Sequence, residues 1–223
     1  MTNPDIKEIQ LMLANAGFSP GKIDGLWGKN SRAALANALQ KAVGTQPPSD
    51  AAKVVWIIDQ ALATLPAAMS SPEARLFLLT VSGQEADFRH RWQVHDQNRP
   101  ESMGAARGLW QFECMGATNG VLTHARTKTM AAQAATLAGL PATAQAVWGA
   151  LHRDDHLAAV FARLLMWTSP RAVPKIGDVE AAWQFYLNEW RPGAYTNGTP
   201  EQKAALRAKF ASYYEVARAT LGL

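Results

Sequence analysis

The chain has 223 residues, a length that fits one domain, or one small domain and one larger domain. Its residues are 48% hydrophobic and 18% charged, which allows a sizeable buried core and excludes a wholly disordered chain. A net charge of +4 suits an anionic partner, such as a cell wall, a nucleic acid or a membrane surface, without selecting one of them. The lone Cys114 excludes an internal disulfide framework and a multi-cysteine zinc site.

The start of the sequence, Met1 to Asp5, lacks the basic residues and apolar run of a secretory signal peptide. The densest apolar stretch, Val54 to Ile58, is far shorter than the roughly 20 apolar residues that a transmembrane helix needs. We therefore expect a chain that is made in the cytoplasm and does not insert stably into a membrane. If it acts outside that compartment, another protein must let it out.

The first 43 residues predict a small helical hairpin. A first helix ends at Gly17, a turn-rich loop covers residues 18–25, and a second helix begins after Asn30 and Ser31. Two consecutive prolines, Pro47 and Pro48, then break the pattern, so we interpret residues 44–50 as a linker. The predicted apolar faces are formed by Ile6, Ile9, Leu13 and Ala16 in the first helix and by Leu35, Ala38, Leu39 and Ala42 in the second.

Residues 51–223 form a second region, whose length is typical of one domain. Asp50 caps a predicted helix that carries Val54, Ile57, Ile58, Ala61 and Leu65. Ser71 followed by Pro72 marks the start of another helix that runs toward Glu85. Residues 89–120 are polar, contain glycine and predict a loop with a short hairpin. Further helices are predicted over residues 130–138, 142–167, 178–189 and 200–221. The predicted fold class is therefore all-α, mainly helical with a short hairpin.

The N-terminal hairpin carries short motifs in a fixed order: Ile9-Gln10, Gly17 to Gly21, Asp24-Gly25-Leu26-Trp27-Gly28 and Leu39-Gln40. This order resembles the peptidoglycan-binding domain found at the ends of many cell-wall enzymes. The resemblance implies that residues 1–43 bind murein, with Asp24, Gly25, Trp27 and Gly28 in the binding module. The residues themselves also have a structural interpretation, because glycine supplies positive φ in a tight loop and Asp24 can accept hydrogen bonds from its own loop.

Two elements of the larger region stand a short distance apart: Glu85-Ala86-Asp87-Phe88 at the end of a helix, and Gly108-Leu109-Trp110-Gln111 after it. They resemble the lysozyme superfamily, and most of all its branch of lytic transglycosylases and goose-type lysozymes. In that branch the catalytic glutamate ends a helix, the next residue is usually serine, and a Gly-Leu-x-Gln element follows; here Ala86 replaces the serine. The segment from Tyr186 to Gly193 is loosely similar to a tyrosine-containing element that lines the cleft of that branch. The layout as a whole resembles endolysins of phages that infect Gram-negative bacteria.

The resemblance implies that Glu85 is the general acid and base in cleavage of the β-1,4 bond between N-acetylmuramic acid and N-acetylglucosamine. The chemistry of the residues agrees with this role, since cleavage needs a proton on the leaving oxygen. A carboxyl group at a helix C-terminus, desolvated by apolar neighbours such as Phe88 and Trp110, keeps its proton at neutral pH.

A second carboxylate would distinguish a muramidase from a lytic transglycosylase. A hydrolase uses one to activate water or to trap the glycosyl group, and the candidates are Asp87, Asp96, Glu101 and Glu113. In a transglycosylase the C6 hydroxyl of the substrate attacks instead, and a single glutamate acts first as acid and then as base. The sequence ranks none of the candidates and leaves both reactions open.

The substrate-binding residues implied by the resemblance are Gly108, Leu109, Trp110, Gln111, Tyr186 and Arg191. Gly108 allows close approach of a sugar, and Gln111 offers a donor and an acceptor to an N-acetyl group or a hydroxyl. Trp110 either stacks on a pyranose or packs behind the loop, and Tyr186 either bonds near Glu85 or packs in the core. Arg191 either meets the carboxylates of murein or belongs to a helix end. No metal or cofactor is implied, and we expect a monomer.

Other functions remain as alternatives. His152 and His156 have the spacing of two zinc ligands on one helical face, which would suit a zinc-dependent murein amidase or peptidase. A thiol hydrolase would need Cys114 beside a histidine such as His124. A non-catalytic wall-binding or phage structural protein would keep the binding module and a degenerate glycosidase fold.

Two anionic partners other than murein are also possible from the sequence. Nucleic-acid binding is not favoured, because basic and acidic residues are interleaved along the chain rather than arranged in a stripe. The final segment, residues 202–223, combines basic and apolar residues and is interpreted as a helix packed on the domain, with contact to an anionic outer membrane as the alternative.

Overall fold

A computed structural model describes residues 4–43, 49–94 and 103–223. It confirms the predicted all-α class: 66% of the protein is helical, and the described residues hold eleven α-helices and one two-stranded sheet. The chain divides into two compact units, with the boundary between Ser49 and Asp50. No helix in the described ranges has the length and apolar character needed to cross a membrane.

The first unit contains helix α1 (Pro4–Asn15) and helix α2 (Lys29–Val43). The inward residues of α1 are Gln10 and Leu13, whereas Ile9 and Ala16, which we expected inside, are exposed. The prediction of this face was right for Leu13 and wrong for Ile9 and Ala16, because the Gln10 amide is needed inside to bond the loop that joins the helices. On α2, the buried positions of the described side chains are Ser31 and Ala34.

The second unit is built around helix α4 (Pro72–Ala86), which packs against α3 (Asp50–Ala63), α8 (Asp155–Thr168) and α11 (Pro200–Leu221). Most residues of α4 are buried on every side of the helix, as expected for a helix at the centre of a domain. The start of α4 follows the predicted signal, because the Ser71 hydroxyl accepts a hydrogen bond from the Ala74 N–H at 3.2 Å. This central helix carries Glu85 in its last turn.

The predicted hairpin is present after α4. Strand β1 (Trp92–Val94) pairs antiparallel with strand β2 (Met103–Arg107). A tight loop at Gly108 then brings Arg107 and Phe112 into a bridge. A π-type turn (Cys114–Thr118) and a short helix α5 (Asn119–Thr123) follow, which the sequence analysis did not predict.

The remaining helices follow the predicted segments, except that α10 (Gly193–Thr196) was not predicted and one predicted helix is two. They are α6 (Lys128–Leu137), α7 (Ala144–Ala150), α8, α9 (Val179–Trp190), α10 and α11. The segment predicted as one helix over residues 142–167 is two helices, because the Asp154 carboxylate caps α8 by accepting from the Leu157 N–H at 2.8 Å. Helix α11 buries Phe210, Tyr214 and Ala217, so this apolar face packs on the unit and is not available to a membrane.

Candidate active site

A cleft of about 720 Å³ lies in the second unit, and several charged side chains line it. Its walls come from the end of α4, the loop after β2, the segment around α5, and the end of α9. The polar and charged side chains that line it include Glu85, Gln111, Glu113, His124, Glu189 and Arg191.

Glu85 is half-buried in the wall of this cleft. The protein atoms around it desolvate the carboxyl group and raise its pKa from 4.5 to about 7. A hydrogen bond from Tyr186 and the positive charge of Lys209 favour the carboxylate and limit this rise in pKa. Burial outweighs both effects, so a large fraction of Glu85 still carries its proton at neutral pH.

Tyr186 bonds Glu85 and does not itself line the cleft. Its hydroxyl donates to Oε1 of Glu85, and its ring stacks on Trp183, with 5.4 Å between ring centroids, and lies 5.2 Å from Phe210. Burial and the nearby Glu85 carboxyl raise the pKa of Tyr186, so it remains a donor. The expected bond near Glu85 is therefore present, whereas the expected direct contact with substrate is wrong because the side chain is only 2% exposed.

The segment from Gly108 to Gln111 also differs from the expectation. Leu109 and Trp110 are completely buried, and the Trp110 indole N–H donates to the Leu78 carbonyl at 2.9 Å. Trp110 therefore packs behind the cleft, and neither of these two side chains can reach a sugar. Gly108 is buried too. The position requires glycine because φ is +73° and because the Leu151 carbonyl would lie 2.9 Å from an added Cβ.

Gln111 is the member of this segment that lines the cleft. It has a φ of +51°, and its amide nitrogen donates to the carbonyls of Gly108 at 2.9 Å and His90 at 3.2 Å. The side-chain nitrogen therefore closes the loop, and within the described residues Oε1 makes no such bond. Gln111 thus offers the cleft an acceptor, rather than the donor and acceptor pair that we expected.

The candidates for a second carboxylate differ in their position relative to the cleft. Glu113 lines the cleft, whereas Asp87 does not: it accepts a hydrogen bond from Tyr213 and lies 3.7 Å from the Lys209 ammonium. Asp96 and Glu101 lie outside the described residues.

A further carboxylate in the cleft, Glu189, was missed by the sequence analysis. Its signal was helical spacing, because Glu189 follows Tyr186 by three positions on α9 and residues three apart share a helix face. Glu189 therefore lines the cleft about one helical turn beyond Tyr186, which bonds Glu85.

Helix α9 ends at the cleft with Trp190 and Arg191. The Trp190 indole N–H donates to the Trp110 carbonyl at 3.1 Å, which ties this wall to the loop after β2. Arg191 terminates the helix with a φ of +48° and bonds the Asn188 carbonyl at 3.1 Å, and it also lines the cleft. Both interpretations of Arg191 are thus compatible with its position.

The features that suggested other chemistries do not come together. His152 lies in the turn before α8, where its ring meets Trp92, so it does not share a helical face with His156 as we expected. In the part of the chain that is described, no three His, Cys, Asp or Glu side chains are placed to hold a metal ion. The Cys114 thiol donates to Oε1 of Gln145 at 3.4 Å.

In the first unit, the buried amide of Gln10 organises the loop that carries the binding-module motif. Its oxygen accepts from the Gly25 N–H at 2.9 Å, and its nitrogen donates to the Leu26 carbonyl at 3.0 Å and the Ser31 hydroxyl at 2.9 Å. Asp24 accepts from the Leu26 N–H at 3.0 Å, as the structural interpretation predicted. Gly25 is buried with a φ of +76°, whereas Trp27 is half-buried and Gly28 is exposed.

Comparison of the chain with known proteins finds no matching family model, no matching curated protein and no matching solved structure.

Proposed function

We propose that the chain is a peptidoglycan-degrading glycosidase of the endolysin type. Its Glu85 acts as general acid and base on the β-1,4 bond between N-acetylmuramic acid and N-acetylglucosamine. The observation that carries this proposal is a carboxyl group with a pKa of about 7 that lines a cleft and is oriented by a buried tyrosine. Perturbed acids in clefts are common at catalytic sites, and the Glu85 and Gly-Leu-Trp-Gln motifs supply the substrate class.

The reaction begins with the protonated form of Glu85. Its proton passes to the glycosidic oxygen as the bond to the anomeric carbon breaks. The resulting carboxylate then takes a proton from the attacking hydroxyl group, which restores the acid. If the C6 hydroxyl of the sugar attacks, the product is a 1,6-anhydro sugar and Glu85 needs no partner. If water attacks, Glu113 and Glu189 are the described carboxylates of the cleft that can assist it.

The first unit is proposed to bind murein and to tether the glycosidase to its insoluble substrate. A tether raises the local concentration of substrate without changing the active site. Half-buried Trp27 and exposed Gly28 are accessible to a ligand, whereas Asp24 and Gly25 maintain the loop. The proposed place of action is the periplasmic face of the wall, reached through a membrane lesion made by another protein. Murein is the proposed partner, and the protein acts as a monomer without a cofactor.

The decisive experiment is digestion of purified murein followed by mass spectrometry of the soluble fragments. We expect Glu85→Gln to lower fragment release by at least about a hundredfold, the usual range for loss of a general acid. Glu215→Gln is the matched control, because Glu215 is exposed on α11 and pairs with Arg218 on the same helix. Normal fragment release by folded Glu85→Gln would refute the catalytic assignment. Wild-type protein that binds sacculi and releases nothing would instead identify a non-catalytic wall-binding protein.

The mass of the fragments then selects the reaction. Fragments one water lighter than reducing muropeptides carry 1,6-anhydro ends and identify a lytic transglycosylase. Reducing ends identify a muramidase, and the single variants Glu113→Gln and Glu189→Gln then show which carboxylate activates water. The tether is tested separately with a variant that lacks residues 1–49, which should lose retention on sacculi.

A further inference from the structure

The end of α4 just beyond Glu85 has an unusual backbone. Asp87 and Phe88 follow each other with φ values of +47° and +64°, although neither is glycine. Such conformations persist only where the surrounding structure enforces them, and they occur often at functional sites. The groups that enforce this turn are therefore of interest for the placement of Glu85, which lies two residues before Asp87.

The turn changes the hydrogen bonds at the end of the helix. The Phe88 N–H, which would bond Gln84 in a continuing helix, bonds the Ser82 carbonyl at 3.3 Å instead. The Gln84 carbonyl is then free to accept a hydrogen bond from the Lys209 ammonium at 2.7 Å. A lysine on the last helix of the chain thus bonds the peptide group that directly precedes Glu85.

A second contact from α11 lies one helical turn further on. The Tyr213 hydroxyl donates to the Asp87 carboxylate, which also lies 3.7 Å from the Lys209 ammonium. The Tyr213 ring packs on Gly83, where an added Cβ would lie 2.4 Å from the ring, and meets Phe88 edge-on. Lys209 and Tyr213 therefore contact residues on both sides of Glu85.

We propose that Lys209 and Tyr213 are positioning residues, which hold the end of α4 so that the Glu85 carboxyl faces the cleft. This inference rests on the proposed function of Glu85. It also gives a role to Asp87, which does not line the cleft. Asp87 accepts the hydrogen bond by which Tyr213 holds the strained turn. Lys209 acts on Glu85 in a second way, because its positive charge favours the carboxylate and lowers the pKa of Glu85 against the effect of burial.

Titratable groups on other elements also lie near Glu85 or line its cleft. The variants that test the role of Lys209 and Tyr213 must leave these groups in place. Tyr186 on α9 bonds Glu85 directly, and His90 and Arg89 follow the turn itself. The titratable groups that line the same cleft are Glu113, His124, Glu189 and Arg191. None of these is altered when Lys209 or Tyr213 is replaced.

The test measures the pKa of Glu85 in the full chain by carbon-detected NMR of the side-chain carboxyl, assigned by its absence in Glu85→Gln. We expect Lys209→Met to raise this pKa by at least about 0.3, because a positive charge is removed. Lys209→Arg should restore the wild-type value. Lys203→Met is the matched control, since Lys203 lies on the same helix against Tyr195.

The second readout is the pH dependence of murein digestion. Lys209→Met should move the alkaline limb to higher pH and lower the rate at the optimum about three- to tenfold, since the carboxyl is less well placed. Tyr213→Phe, which keeps the ring on Gly83 and removes the bond to Asp87, should lower the rate at the optimum with unchanged retention on sacculi. It also serves as the second variant if Lys209→Met does not fold.

The two readouts separate failure of this inference from failure of the proposed function. Unchanged Glu85 pKa and unchanged rates in Lys209→Met, with wild-type protein active through Glu85, would overturn the inference alone. A wild-type protein without activity on murein would overturn the function, and the NMR titration would still decide whether Lys209 acts on Glu85.

Discussion

The hydroxyl of Tyr186 donates a hydrogen bond to Oε1 of Glu85 and joins helix α9 to the last turn of α4. The tyrosine ring packs against Trp183 and Phe210, and these contacts give its hydroxyl a defined direction. The bond orients a carboxyl group that still faces the cleft. It also favours the carboxylate, yet desolvation is the larger effect and raises the pKa of Glu85 to about 7.

This raised pKa predicts a change in stability with pH. Between 4.5, its ordinary value, and about 7, folded protein holds a proton on Glu85 that the unfolded chain has released. The free energy of unfolding therefore falls as pH rises through this window and this contribution is constant above it. Glu85→Gln removes the effect, so we expect it to raise the free energy of unfolding by about 3 kcal/mol at pH 8.

The measurement is urea unfolding of wild type and Glu85→Gln at pH 4 and pH 8. At pH 4 both states of the wild type are largely protonated at Glu85, so the two proteins should be about equally stable. This condition serves as the control for effects of the amide itself. An equal difference in stability at both pH values would contradict a raised pKa.

Tyr186→Phe tests the orienting hydrogen bond. The phenylalanine keeps the ring packing and removes the donor, so the pKa of Glu85 should rise, because the bond favours the carboxylate. We expect the alkaline limb of murein digestion to move to higher pH, with a rate at the optimum that is about tenfold lower. Tyr195→Phe is the control, since Tyr195 packs on Trp183 without bonding Glu85. Identical pH profiles for the two variants would argue against this role.

The helical elements of this chain follow from local signals, whereas the cleft depends on long-range packing. Ser71 with Pro72 starts α4, and Asp154 starts α8 through a side-chain cap. The first of these was recognised in the sequence; the second was missed within an apparently continuous apolar pattern. A cap and a turn inside such a pattern leave the periodicity almost unchanged, so the sequence of residues 142–167 predicts one helix where the structure has two.

The functions of individual side chains were harder to predict, because burial is decided by contacts between distant segments. The sequence motif around Trp110 is the same whether the side chain packs inward or stacks on a sugar. Its complete burial and its bond to the Leu78 carbonyl show that it packs inward. Gln10 belongs to the motif that resembles a peptidoglycan-binding domain, but the apolar pattern of its helix does not predict that its side chain is buried. Glu189 has helical spacing from Tyr186. That it lines the same cleft as Glu85 depends on the packing of α9 on α4, which the sequence does not reveal.

Trp110→Phe separates the packing role from sugar stacking. The smaller ring leaves a cavity and removes the side-chain hydrogen bond to the Leu78 carbonyl, so the free energy of unfolding should fall by about 2–3 kcal/mol. The binding of murein fragments to folded protein should be unchanged. Trp190→Phe, at a residue that lines the cleft, is the comparison and should weaken that binding. Calorimetric binding and urea unfolding of both variants decide the assignment.

Gln10→Leu tests the organisation of the first unit. The substitution leaves the buried Gly25 N–H without its partner, at a cost of about 1–3 kcal/mol, whereas the Leu26 carbonyl keeps its bond from the Gly28 N–H. Hydrogen exchange in the full chain should then show loss of protection at Gly25 and its neighbours, with the second unit unaffected. Glu8→Ala, at an exposed position of α1, is the control. Retained protection in Gln10→Leu would show that the loop does not depend on this amide.

Two glycines in helices should respond in opposite directions to replacement by alanine. At Gly83 the new Cβ would meet the Tyr213 ring at 2.4 Å and the Phe88 ring at 2.8 Å, so α4 and α11 must separate. We expect Gly83→Ala to lower the free energy of unfolding by about 2–3 kcal/mol. It should also impair murein digestion, because the displaced contact lies next to Glu85.

Gly149 lies in α7 with no atom within 4 Å of an added Cβ. Alanine has the higher helix propensity, so Gly149→Ala should raise the free energy of unfolding by up to about 1 kcal/mol and leave digestion unchanged. Urea unfolding of the two variants measures the contrast directly. If Gly83→Ala were as stable as Gly149→Ala, the close approach of α11 to the end of α4 would be wrong, and the positioning role of Tyr213 would lose its structural basis.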